Sequence, residues 1–66
     1  METIRFNAPF NKEITLSEST YEGGMPLLSV RIKEGKRFTT LELDAETATT
    51  WADAMRQWAD SQDVQR

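Results

Sequence analysis

Polar and apolar residues alternate one by one in four stretches of this chain, after which the spacing changes to that of a helix. From Met1 to Ala8, Ile4 and Phe6 fall on one side and Thr3, Arg5 and Asn7 on the other, the pattern of a half-buried strand. Pro9-Phe10-Asn11 ends it, because proline has no N–H for a ladder and asparagine suits a turn. Lys12 to about Thr20 alternates again, with Ile14 and Leu16 inward and Glu13, Thr15 and Ser17 outward; Tyr21 can extend it. Glu22-Gly23-Gly24-Met25-Pro26 is the strongest break, since two glycines permit positive φ and a proline follows. Leu27 to Lys33 sets Leu28, Val30 and Ile32 on one face and Leu27, Ser29, Arg31 and Lys33 on the other. Glu34-Gly35-Lys36 predicts a tight hairpin turn with Gly35 at positive φ. In Arg37 to Leu43, Thr39, Leu41 and Leu43 share the inward face, so that Phe38, Thr40 and Glu42 point outward unless a bulge shifts the phase.

From Asp44 to Ser61, Ala48, Trp51, Ala52, Met55, Trp58 and Ala59 fall on a single stripe at 3.6-residue spacing, and polar residues fill the other side. Asp44 is placed to cap the first turn, where its carboxylate meets free N–H groups and the positive end of the helix dipole. Asp53, Arg56 and Asp60 stand three and four apart and can pair along the exposed side. Val64, Gln65 and Arg66 are expected to fray.

Four strands followed by one helix predict a single α+β domain over residues 1–66, an antiparallel meander with the helix across its inward face. Trp58 lies seven residues, about 10 Å, beyond Trp51 on the helix axis. Either both indoles cover the sheet of their own chain, or a second subunit covers the end that carries Met55, Trp58 and Ala59. Helical spacing alone does not separate the two.

Length sharpens that choice. A chain of 66 residues buries only about 60% of the surface its unfolded form exposes, and small domains of this kind lean on disulfides, a metal or a partner chain. With no Cys and no His, disulfides and nearly all transition-metal chemistry drop out, which favours a homodimer. No apolar run is long enough to span a bilayer and the N-terminus does not read as a signal peptide, so a soluble cytoplasmic protein is expected. The net charge of −3 is unevenly spread, at +1 over residues 1–40 and −4 over residues 41–66.

The same composition argues against an enzyme. Histidine, the usual group poised near neutral pH, is absent, and a Ser or Thr nucleophile would need a lysine base for which no Ser-x-x-Lys spacing exists. The best-spaced carboxylates, Asp53 with Asp60 and Asp60 with Asp63, read as surface charge. Gly23-Gly24 leads into a strand rather than a helix, and Gly35-Lys36 lacks the upstream glycine of a phosphate loop. No catalytic residue, cofactor or metal is expected. The outward sheet face is the remaining candidate: Arg5, Arg31, Lys33 and Phe38, with Lys36 and Arg37 at the nearby turn, interleave cations with a ring as single-stranded nucleic acid requires. An antiparallel sheet also wets one face with such residues for no ligand at all.

Gly35-Lys36-Arg37-Phe38-Thr39-Thr40-Leu41-Glu42-Leu43-Asp44-Ala45-Glu46 followed by Trp51 resembles the basic turn, last strand, acidic helix start and tryptophan of the positive cofactor four coactivators. The chain is also similar to short bacterial proteins of unknown function. The first resemblance implies four antiparallel strands before a helix, a dimer made partly through that helix, and sheets that bind single-stranded DNA. The expectation is therefore a non-enzymatic module that self-associates, or binds another protein, through Met55, Trp58 and Ala59. The alternative is single-stranded nucleic acid held by Arg5, Arg31, Lys33, Lys36, Arg37 and Phe38.

Overall fold

Strands β1 (Ile4–Ala8), β2 (Lys12–Thr20), β3 (Pro26–Glu34) and β4 (Arg37–Leu43) pair antiparallel in sequence order and lead into helix α1 (Ala45–Ser61). The computed structural model describes residues 1–62. The expected fraying of Val64, Gln65 and Arg66 lies outside them.

The ladder places every residue expected to face inward on one side. Ile4, Leu16, Val30 and Leu41 form one row across the four strands, Phe6, Ile14, Ile32 and Thr39 the next, and Leu28 pairs with Leu43 on the other flank. A row of Ala8 and the charged Lys12, Glu34 and Arg37 closes this face at the hairpin end, where Lys12 Nζ and Glu34 Oε2 lie 3.1 Å apart. Arg37 therefore belongs to the helix side of the sheet. Pairing with Glu34 keeps it in step with Thr39 and Leu41, two and four residues on, so alternation parts it from Phe38.

The turns follow from what the backbone needs. Gly35 takes φ of 63° and pairs Glu34 with Arg37 across a two-residue loop, the glycine-first hairpin its sequence predicts. Phe10 and Asn11 both sit in the left-handed region, at φ of 67° and 61°. Asparagine tolerates that geometry, whereas phenylalanine pays about 1–2 kcal/mol for it, and nothing in the sequence announced Phe10 as the strained residue. Tyr21 leaves the ladder instead of extending β2: its N–H donates to the Met25 carbonyl at 2.8 Å, and Gly24 N–H donates back to Tyr21 at 3.0 Å.

Helix α1 starts where Asp44 stops the last strand, with Asp44 Oδ1 accepting from Thr47 N–H at 2.8 Å. Hydrogen bonds from the Thr47 side chain and then from its backbone hold the Asp44 carboxyl below its ordinary range. A lowered folded-state value contributes stability that is present above the unfolded value, about 3.9, and is lost as pH falls through the folded one. Asp44→Ala is expected to lower the thermal midpoint at neutral pH and to leave the remaining acid-induced loss shallower; Asp44→Asn keeps most of the cap. Thermal melts at neutral and acid pH check both. The Asp53, Arg56 and Asp60 series makes no ion pair among the described residues. In its place, Thr49 and Thr50 hydroxyls donate to the carbonyls of Ala45 and Glu46, at 3.0 and 3.2 Å.

Packing between the layers is narrow. The helix rests chiefly on β3 and β4, and among the described residues only Val30 and Leu43 are buried. A helix is about 10 Å across and strands are about 4.8 Å apart, so one helix covers roughly two of the four strands. Trp51 approaches the sheet and is 38% exposed, whereas Trp58 is 67% exposed. The two indoles thus separate: the first covers its own sheet and the second does not.

Candidate interaction surfaces

The first surface is the apolar face that α1 leaves open. Between the helix and the sheet runs a groove of about 420 Å³, walled by Phe6, Ile14 and Leu16 on one side and by Trp51, Ala52 and Met55 on the other. Val30 and Ile32 form part of its floor, turned towards Trp51 as the alternation requires. Further along α1, Ala54, Met55, Trp58 and Ala59 make a second apolar facet. The predicted self-association residues Met55, Trp58 and Ala59 are thus brought together, and all three are exposed.

Sequence reasoning placed Phe6 and Ile14 in the core and missed their part in this surface. Phe6 is 48% exposed and Ile4 47%. The signal was available in the composition of the helix stripe. Three of its six residues are alanines, too small to cover a wall of Ile, Leu and Phe on four strands.

The second surface is the opposite face of the sheet. Cross-strand register sets Arg5, Thr15, Arg31 and Thr40 in one row and Asn7, Glu13, Lys33 and Phe38 in the next. Phe38 points outward, with no bulge to shift β4, and the Arg31 guanidinium lies 4.3 Å from its ring centroid. Lys33 Nζ stands 5.9 Å from the same ring. Arg5, Glu13, Thr15, Arg31, Lys33 and Phe38 line one shallow depression of about 320 Å³. Of the six cationic-face candidates, Arg5, Arg31, Lys33 and Phe38 come together there, Lys36 occupies the hairpin tip, and Arg37 lies on the other face. Chemically the depression can hold an anion beside a planar cation that is already stacked on a ring.

Glu18 flanks the first surface, on the same face of β2 as Ile14 and Leu16 and opposite Leu28. It is held below its ordinary range by a hydrogen bond from the Met1 ammonium, 2.6 Å from Glu18 Oε1, and by that group's charge. No helix among the described residues is long and apolar enough to cross a membrane.

The model of a family of unknown function (DUF6967) matches residues 2–61. No curated protein and no solved structure matches the chain.

Proposed function

As the chain belongs to DUF6967, a family of unknown function, its role is read from its own surfaces, and we propose a non-enzymatic cytoplasmic interaction module that self-associates as a homodimer. The observation that carries this reading is surface. The chain exposes 5532 Å² at 7.6 kDa, where a compact monomer of that mass exposes about 4,300 Å². The excess, about 1,200 Å², falls within the roughly 1,000–2,500 Å² that each chain contributes to an obligate dimer. The shape is likewise open: the radius of gyration is 13.9 Å, whereas a compact chain of this length has about 11 Å. The apolar groove and the facet beyond it are costly to leave in water, which supports the same reading.

Sedimentation equilibrium tests the reading. The wild-type chain is expected at twice its 7.6 kDa mass, and a 7.6 kDa species at the highest soluble concentration overturns it.

A second reading is favoured by the convergence of Arg5, Arg31, Lys33 and Phe38 in one depression, and by the resemblance to the positive cofactor four coactivators: single-stranded nucleic acid on the outer face. Three cations engaging phosphates give a log–log salt slope of about −2 for a single strand. Replacing Arg31 and Lys33 together by Ala is expected to weaken binding of a labelled oligonucleotide and to flatten that slope to about −0.7. Failure of the wild-type chain to bind at low salt ends this reading.

A further inference from the structure

Helix α1 is longer than the surface beneath it. From Asp44 to Trp58 the axis runs about 21 Å. The apolar part of the sheet, from the Leu28–Leu43 pair to the Ile32–Thr39 pair, is only about 13 Å long and about 14 Å wide. Even along its diagonal, about 19 Å, this apolar part ends before Trp58. The chain is thus left with two apolar surfaces that its own fold does not match: Trp58 and Ala59 beyond the apolar part of the sheet, with Met55 at its edge, and Ile4, Phe6 and Ile14 on the strands that α1 covers least.

Resting on the self-association reading, we propose that these two surfaces cover each other across a twofold axis. The distal half of α1 from one copy lies on the β1–β2 half of its partner's sheet, and the partner's helix does the same in return. A twofold axis demands that a contact from i to j be repeated from j to i, and this pairing uses each unmatched surface once and leaves none over. On the sheet side the charged residues of that face, Lys12 and Glu18, flank the apolar rows at either end, and the helix side buries no charge. Asp53, Arg56 and Asp60 lie about half a turn of the helical wheel from Trp58 and stay in water when the stripe docks. The occupant is a second copy because the surplus of about 1,200 Å² lies in the range that each chain of a stable dimer buries.

The natural chain has no cysteine, so introduced thiols report without background. One population carries Ala59→Cys and a differently tagged one carries Ile4→Cys; they are mixed, allowed to exchange, and treated with a short bis-maleimide. A mixed-tag cross-linked product is expected at several-fold the yield of the control pair Ala59→Cys and Arg5→Cys, because Arg5 lies on the opposite face of the same strand. Should Ile4→Cys unfold the chain, Ala8→Cys, on the same face of β1, replaces it. Sedimentation of the same mixtures separates the failures. A dimer whose mixed-tag yield does not exceed the control overturns the reciprocal geometry and leaves self-association standing. A monomer overturns both.

Discussion

Leu43→Ala is expected to lower the stability of the fold by about 3 kcal/mol, within the roughly 2–5 kcal/mol range of buried leucine truncations. Leu43 is 9% exposed, pairs with Leu28 across the ladder, and is followed at once by the Asp44 cap. It therefore sits where β3, β4 and α1 meet, and of the described residues only Val30 is as well buried. A domain of 66 residues carries a total of roughly 3–10 kcal/mol, so the loss takes about 30% or more of it. The thermal midpoint should fall by more than about 10 °C, given about 4–8 °C per kcal/mol at this size. Leu41→Ala is the control, since Leu41 is on the same strand and face but 39% exposed. Circular dichroism melts of the two variants decide it. Equal and small shifts would mean that the helix is anchored somewhere other than the Leu28–Leu43 pair.

Most of the architecture was legible because it rests on period and on turn chemistry. Period two is unforgiving, as one step of slip turns a whole strand over; Leu28, Val30 and Ile32 could only face one way, and the register confirms it. The same constraint answered whether Phe38 faces in or out once Gly35 had fixed a two-residue hairpin. Asp44 was readable as a cap because a short acceptor stood directly between a strand pattern and a helix pattern.

What stayed hidden was distance rather than direction. Spacing assigns Trp51 and Trp58 to one stripe, yet it carries no record of how far the sheet extends beneath them, and exposures of 38% and 67% follow from that extent. Arg37 was misplaced for a related reason. It was grouped with Phe38 by nearness to the turn, whereas adjacent residues of a strand always face apart. The left-handed backbone at Phe10 has no cue in composition, because phenylalanine there runs against its own preference.

Trp58→Ala should weaken self-association by about 30-fold or more, since a buried tryptophan at the centre of an interface is typically worth at least about 2 kcal/mol on truncation. The residue suits such a measurement because it contributes little to the free chain. At 67% exposed it makes few contacts that the monomer would miss, and substitutions at sites of that kind usually stay within about 0.5 kcal/mol. The two effects are therefore separable. In a chemical melt at a concentration low enough to give monomers, wild type and variant should coincide. As concentration rises, the wild-type midpoint should climb by mass action while the variant lags behind it. Met55→Ala, on the same facet, should lag in the same sense, whereas Arg56→Ala, about half a helical turn away from Trp58, should track wild type. If Trp58→Ala and wild type rise together with concentration, then the exposed indole is not part of what the second copy covers, and the contact lies elsewhere on the open face of the sheet.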